Sequence, residues 1–267
     1  MKNRKNRPKR NQGPNYEAEQ NYDNEEEIRL NKYIAHCGYC SRRDADDYIA
    51  AGKVEVNDEV VTQMGVKVQR SDKVVVEGQT LSLENFEYIL LNKPKDTITT
   101  TDDPRGRDTV MDKIQDATGK RVYPVGRLDR HTMGLLILTN DGDLANRLMH
   151  PSYQVRKTYE VETERGLKDD ELQKLNQGIE LEDGSAAAHN IARTPDGFVM
   201  SIFEGRNRLV RRMVEYFDTE VTKLKRIEYA GLTLDDVRMG RWRYLKKQEI
   251  NGLRKMVKLD TLDFNKN

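Results

Sequence analysis

The sequence predicts an α+β protein of 267 residues, and two kinds of pattern point to it. Apolar residues recur at helical spacing in several short segments, as at Leu30, Tyr33 and Ile34 and again at Leu144, Leu148 and Met149. Elsewhere they form continuous runs of strand length, at 88–91 and 135–138, or alternate with polar residues, at 154–161. No internal repeat is present. The length allows one large domain or two modest ones with a sizeable core.

Charged residues make up 34% of the chain and hydrophobic ones 36%, so much of it must be surface or tail. A net charge of +1 gives no global case for nucleic acid, and any such case rests on where the basic residues cluster. The apolar runs are far too short to cross a bilayer, so no membrane is expected. Residues 1–27 hold no apolar core of a secretory signal, and the cytoplasm is the expected location. Cys37 and Cys40 form one Cys-x-x-Cys beside His36. A zinc site wants a second ligand pair, which no other cysteine supplies, and a redox pair would sit in a βαβ unit. Both are read as reduced structural thiols, with no metal expected.

Residues 1–27 carry six basic residues in the first ten and six acidic ones over 17–27. Such a segment cannot bury enough apolar area to offset its chain entropy, so a disordered charged tail is expected. A first helix begins near Leu30 and is broken at Gly38. Ser41 and Asp44 form a capping box for a second, with Ala45, Tyr48 and Ile49 on its apolar face and Gly52 as its stop. Val54-Glu55-Val56, an Asn57-Asp58 turn and Val60-Val61 read as a hairpin, and 73–76 as another strand. Arg42 and Arg43 lie in the second helix's first turn, where the helix dipole disfavours cations. They point into water or await an anion such as a phosphate.

A polar linker over 78–86 separates this unit from a domain over 87–260. The strand at 88–91 runs into Asn92-Lys93-Pro94, then a β-prone 97–101, a loop at 102–106 and a short helix at 111–114. Then comes the central stretch, Gly126-Arg127-Leu128-Asp129-Arg130-His131-Thr132-Met133-Gly134, feeding the apolar run 135–138 and an Asn140-Asp141-Gly142 turn that opens a helix. A continuous apolar run of this length predicts a strand buried on both faces. Asp129 sits just outside it with Arg127 and Arg130 beside it, and nearby guanidinium groups favour the charged form of a carboxylate. Taken alone, that is also how a charged surface loop reads. His150 before Pro151 reads as a capping or packing histidine. Beyond the strand at 154–161 come a helix at 172–177 stopped by Gly178, strands at 179–182, 186–192 and 198–203, and a helix capped by Asn207. That helix buries Leu209, Val210, Met213, Val214 and Phe217 and gathers Arg208, Arg211 and Arg212 on its other side. Three arginines on one face repel unless phosphates or carboxylates compensate. A segment at 221–229 that reads as strand or helix, with strand favoured, an alternating 241–245 and a closing helix around Ile250, Leu253, Met256 and Val257 complete the chain.

Two resemblances organise these elements. Residues 28–77 resemble the S4 RNA-binding domain through Arg29-Leu30-Asn31-Lys32-Tyr33, Ser41-Arg42-Arg43-Asp44-Ala45 and Gly52-Lys53-Val54-Glu55-Val56-Asn57. The likeness implies a small αL-type fold in which Arg29, Lys32, Arg42, Arg43 and Lys53 contact the RNA backbone. The central stretch resembles the core motif of the RsuA-type pseudouridine synthases, Gly-Arg-Leu-Asp-x-x-Thr-x-Gly-Leu-Leu. Lys93-Pro94 resembles the same family's first motif, with Asp96 where the family has Gly. Lys157-Thr158-Tyr159-Glu160-Val161 and the block from Glu204 to Met213 resemble its later ones, with Leu209 in place of a usual polar residue. Within the family the likeness is nearest to RluB-type large-subunit enzymes, through 143–151 and Glu204-Gly205-Arg206-Asn207-Arg208.

That likeness implies a mixed, largely antiparallel sheet flanked by helices, acting on a uridine of ribosomal RNA, with a monomer expected and no cofactor. It implies three catalytic residues: Asp129 as the carboxylate, Tyr159 stacking on the displaced base, and Arg211 as the aspartate's basic partner. Arg127, Arg206, Arg208 and Arg212 join the RNA-binding set. A non-catalytic S4-type assembly factor is the alternative, against which the intact Asp129, Tyr159 and Arg211 set argues.

Overall fold

The computed structural model describes residues 27–235 and 237–264. The charged tail expected over 1–27 thus lies almost wholly outside the described residues. In the first unit β1 (Ile28–Arg29) leads into α1 (Leu30–His36), and α2 (Arg42–Ala50) follows. The capping box forms: the Ser41 hydroxyl accepts from the Asp44 N–H at 3.1 Å, and the Asp44 carboxylate accepts from the Ser41 N–H at 3.2 Å. β2 (Val54–Val56) and β3 (Glu59–Val60) make the hairpin, with Asn57 and Asp58 both at positive φ, as a tight two-residue turn requires. β4 (Lys67–Val68) pairs with β1, while β5 (Val74–Val76) and β6 (Gln79–Thr80) complete a sheet of order β3-β2-β5-β6. Leu30, Ile34, Ala45, Ile49, Val54, Val74 and Val76 form the core of this unit.

The second unit is built on a nine-stranded sheet. Its members are β7 (Tyr88–Lys93), β8 (Tyr123–Pro124), β9 (Met133–Thr139) and β10 (Lys157–Thr163), then, after a separate hairpin of β11 (Ile179–Leu181) and β12 (Gly184–Ala186), β13 (His189–Thr194), β14 (Gly197–Ile202), β15 (Val221–Tyr229), β16 (Leu232–Thr233) and β17 (Trp242–Tyr244). The main order is β13-β14-β10-β15-β9-β7-β17, with β8 on β9 and β16 on β15. All its ladders are antiparallel except β9 with β15. That one is two residues wide, Met133 opposite Lys225 and Gly134 opposite Arg226. The sheet is therefore two half-sheets sewn at one short seam.

Helices cover both faces. α4 (Asp169–Gln177) and α5 (Leu209–Glu215) pack in one apolar cluster with Leu136 and Leu138 of β9. α3 (Gly142–Met149) and α6 (Lys247–Met256) pack in another with Leu135 and Ile137. Alternate side chains of β9 thus enter opposite cores, and none of Leu135, Leu136, Ile137 and Leu138 is exposed at all. At the far end of β9, Asp141 caps α3 by accepting from the Leu144 N–H at 3.0 Å. The units meet through Lys32, whose ammonium is 2.8 Å from the Asp143 carboxylate, and through Arg121, which donates to the Cys40 carbonyl at 3.1 Å.

Five local expectations are corrected. Residues 111–114 form successive turns rather than a helix, with the Ile114 N–H on the Met111 carbonyl and the Ala117 N–H on that of Ile114, i to i+3 spacings, while the Asp116 carboxylate accepts from the Trp242 indole N–H at 2.9 Å. Of the β-prone 97–101, only Ile98 forms a bridge, to Thr109. The strand expected from 186 to 192 is two, β12 ending at Ala186 and β13 starting at His189. The strand expected from 154 starts at Lys157, because Gln154 turns left-handed at φ 45°. Asn207 does not cap α5: the cap position is Arg208, at φ 48° and without a side-chain cap bond, while the Asn207 carbonyl accepts from Arg212 Nε.

Candidate active site

The loop that carries Asp129 is held from beneath by Lys93. This lysine ends β7 with no exposed surface, and its ammonium donates to the carbonyls of Thr132 at 2.8 Å, Asp129 and Pro94 at 3.1 Å and Arg130 at 3.3 Å. Burial pushes it down to about 8, with Asp129 and Asp96 pulling the other way. Thr99 holds the preceding residue: its hydroxyl donates to the Leu128 carbonyl at 2.7 Å and accepts from the Leu128 N–H at 3.3 Å. Asp96 adopts the left-handed conformation, φ 63°, that a glycine would take freely. Its N–H donates to the Arg130 carbonyl at 2.9 Å, and its carboxylate lies 3.2 Å from Arg130 and 3.3 Å from His131. Arg130 therefore serves Asp96, whereas Arg127 lines the same cavity as Asp129.

That cavity, of about 490 Å³, is where the distant motifs meet. Asp129 stands exposed in its wall. Tyr159, only 7% exposed, enters from β10, where it lies opposite Arg226 and Met200. Arg211 enters half-buried from α5, its Nη1 donating to the Val221 carbonyl at 3.1 Å. Burial lowers the Arg211 pKa, Arg208 adds to that, and the Asp129 carboxylate opposes it. Arg211 Nε is buried without a hydrogen-bond partner among the described residues.

Three lining residues escaped the sequence reading. Lys157, Arg226 and Tyr229 lie on the same face of the β10/β15 ladder as Tyr159, with Arg226 2% exposed and Lys157 8%. Burial pushes the Lys157 ammonium down to about 8, Arg226 adds to that, and Glu204 opposes it. The available signal was spacing, since Lys157 and Tyr159 are two apart on a strand whose alternate residues face inward.

The remaining expected cations are distributed unevenly. Arg206 and Arg208 line the cavity, but Arg206 is gripped by Glu204 at 2.6 Å and Asp183 at 2.8 Å, and Arg208 lies 3.3 Å from Glu215. Arg212 forms a two-bond pair with Asp183, at 2.7 and 2.9 Å. Carboxylates thus compensate Arg208 and Arg212 on the arginine-rich face, while Arg211 ion-pairs with none among the described residues. In the first unit Arg29, Arg42 and Arg43 are exposed, Lys32 is on Asp143, and Lys53 is 2.7 Å from Glu77. Cys37 and Cys40 are free thiols, pushed up by burial to about 12 and about 11. His150 accepts from the Ser152 N–H at 3.2 Å and caps a single 3₁₀ turn. Among the described residues no cluster of three or more His, Cys, Asp or Glu could hold a metal, and no helix is long and apolar enough to cross a membrane.

Residues 87–230 match the family model described as RNA pseudouridylate synthase, and residues 28–74 match the S4 domain. The chain belongs to the RNA pseudouridylate synthase family. Its relatives include a Bacillus subtilis protein named ribosomal large subunit pseudouridine synthase B, 45% identical over 237 residues, which are 86% of this chain and 96% of that protein. An Aquifex aeolicus protein named an uncharacterized RNA pseudouridine synthase is 42% identical over 240 residues, 87% and 96% of the two chains. Among solved structures, one described as a pseudouridylate synthase superposes with a TM-score of 0.61 at 28% identity, covering 85% of this chain and 99% of its own. The synthase match spans Asp129, Tyr159, Arg211 and the seam at Gly134, so the cavity lies inside the family's domain.

Proposed function

We propose that this synthase converts a uridine of large-subunit ribosomal RNA to pseudouridine, with Asp129, Tyr159 and Arg211 as its catalytic residues. The observation that carries the reading is that these three residues, from three separate motifs, line one cavity. The S4 unit, through Arg29, Lys32, Arg42, Arg43 and Lys53, and the arginines around α5 hold RNA by its phosphates, which positions without reading sequence. The target uridine leaves its stack at a cost of a few kcal/mol, and its uracil settles on the Tyr159 ring. Arg211 orients the Asp129 carboxylate, which attacks C1′ or removes the C2′ proton. The C1′–N1 bond breaks, a C1′–C5 bond forms, the hydrogen at C5 leaves as a proton and N1 takes a proton up, so the product is an isomer of the substrate. No electron is gained or lost and no water is added, so the bond changes call for no cofactor. A monomer in the cytoplasm is the working form.

The test is tritium release from a large-subunit ribosomal RNA transcript carrying [5-³H]uridine, with pseudouridine mapping in cells that hold or lack the protein. Wild type releases tritium, and one large-subunit site loses its pseudouridine when the protein is absent. Asp129→Asn keeps its RNA affinity and loses about 10²–10⁴-fold in rate, the range for removing a positioned acid–base group. An Asp129→Asn enzyme that releases tritium at the wild-type rate would sink the assignment.

A further inference from the structure

The cavity floor holds two buried cations that the proposed chemistry above leaves without a task. Lys157 and Arg226 flank Tyr159 on one face of the β10/β15 ladder. Neither ion-pairs with a carboxylate among the described residues. Arg226 Nε donates to the Leu135 carbonyl at 2.7 Å, Lys157 Nζ donates to the Val155 carbonyl at 3.1 Å, and Arg226 Nη2 is buried with no hydrogen-bond partner among the described residues. Glu204, the carboxylate that acts on Lys157 electrostatically, is already bound twice by Arg206, at 2.6 and 3.0 Å. The Tyr229 ring adds cation–π support, with the Arg226 guanidinium 4.6 Å and the Lys157 ammonium 5.5 Å from its centroid. A ring quadrupole offsets only part of the cost of desolvating two adjacent like charges. The pair is therefore poised for negative charge arriving from outside the chain.

Depth decides what kind of ligand group that is. Arg127 and Arg208 are exposed cavity cations suited to backbone phosphates, whereas Lys157 and Arg226 are nearly sealed. Arg226 sits directly across the ladder from Tyr159, and Lys157 lies about 7 Å along the strand from it, two residues at strand rise. A pyrimidine stacked on Tyr159 meets them with its edge. Lysine and arginine donate only. Uracil offers carbonyl oxygens at O2 and O4, while cytosine offers an amino donor at position 4.

We propose that Lys157 and Arg226 bind the carbonyl edge of the flipped uracil, carry the negative charge it acquires on cleavage, and exclude cytosine. The inference rests on the synthase reading of this cavity. When the C1′–N1 bond breaks, its electron pair stays on the uracil and spreads from N1 to O2 and O4. The Asp129 carboxylate either bonds to the electron-poor C1′ and is displaced by C5 on reattachment, or takes the C2′ proton to leave a C1′=C2′ double bond and returns that proton to C2′ as C5 adds to C1′. Reattachment through C5 consumes the charge; the C5 hydrogen then leaves as a proton and N1 takes one up, which leaves the base neutral. Donors aimed where charge develops act more strongly in the transition state than on the resting base. They also keep the freed uracil from leaving.

The experiment is single-turnover pseudouridine formation on the same transcript, with RNA affinity measured in parallel. Lys157→Met is expected to slow turnover by about 100-fold or more, as loss of one donor to a developing oxyanion does, with RNA affinity unchanged and partial recovery in Lys157→Arg. A second arm places 4-thiouridine, whose sulfur is a weak acceptor, at the position wild type modifies. Wild type is slowed by the sulfur, and Lys157→Met is slowed no further. The proposal falls if Lys157→Met turns over like wild type, if its loss is matched by lost RNA affinity, or if wild type handles 4-thiouridine and uridine alike. The last comparison needs no variant and decides the matter even if Lys157→Met does not fold. If wild type itself makes no pseudouridine, the synthase reading falls as well; if only these arms fail, that reading stands.

Discussion

Replacing Gly134 by alanine should uncouple the two half-sheets. Gly134 sits at φ +105° in the seam between β9 and β15, and a Cβ there would lie 2.2 Å from the Arg226 carbonyl oxygen and 2.8 Å from its nitrogen. Both are backbone atoms, so no rotamer change relieves the contact, and one strand must retreat by about 1 Å to reach van der Waals distance. The dihedral costs about 1–3 kcal/mol for a residue with a side chain. Overpacking adds about 1–3 kcal/mol. A sum near 4 kcal/mol corresponds to a fall in melting temperature of about 10 °C for a domain of this size. Activity should fall further than stability, because β9 follows directly from the Asp129 loop and β15 carries Arg226 opposite Tyr159. Calorimetry and tritium release below the variant's melting point separate the two effects. An alanine variant that melts within about 2 °C of wild type, less than 1 kcal/mol by the same scaling, would refute the reasoning.

Two further perturbations follow from buried charges. Lys93 holds the Asp129 loop as an ammonium that burial brings down to about 8, so turnover should decline above that pH as the amine keeps two N–H groups for four carbonyls; a pH–rate profile flat from 7 to 9 counts against it. Arg254 pairs with the buried Asp141 carboxylate at 2.6 Å, which also accepts from the Tyr88 hydroxyl at 2.8 Å. Arg254→Met leaves that charge unpaired, at about 3–5 kcal/mol. Burial already raises the Asp141 pKa and Arg254 opposes the rise, so removing Arg254 raises it further. A raised carboxylate pKa means the folded state binds the extra proton, so stability falls as pH rises, more steeply in the variant. Urea titrations should show the deficit larger at pH 7.5 than at pH 5, and an equal deficit at both would contradict it.

Local pattern reached most of the elements because their causes are local. β9 is an unbroken apolar run, α2 carries its capping box, and Asp141 opens α3 where the Asn140-Asp141-Gly142 turn placed it. Some misread segments have local causes, such as the left-handed Gln154, but one is in contact with a distant partner. Met111 and Ile114 have helical spacing, yet the segment's turns are tied to β17 through Asp116 and Trp242, 126 residues apart. Partners of surface cations were equally invisible: Lys32 finds Asp143 at a separation of 111 residues, and Arg212 on α5 finds Asp183 in the turn between β11 and β12. A substitution inside a recognised motif was resolved by backbone conformation, since Asp96 takes the left-handed turn its family's glycine would supply.

The site itself was legible only in pieces, for a reason that lies in the sheet. Asp129 belongs to the half-sheet of β9, β7 and β17, while Tyr159 belongs to the half of β13, β14, β10 and β15. No periodicity within either half states that the two face one cavity; that depends on the parallel pairing of Gly134 with Arg226 and on Arg226 Nε reaching the Leu135 carbonyl. Arg226 thus has two duties, one arm sewing the seam and the rest of its guanidinium lining the floor. A buried arginine goes against the rule that charged side chains stay at the surface, and in β15, whose apolar residues fall at 221, 224, 227 and 229, no strict alternation marks position 226 as inward-facing. Its cost is tolerable because one bond secures the fold. Nη2, buried with no hydrogen-bond partner among the described residues, is then free of any fold contact shown there.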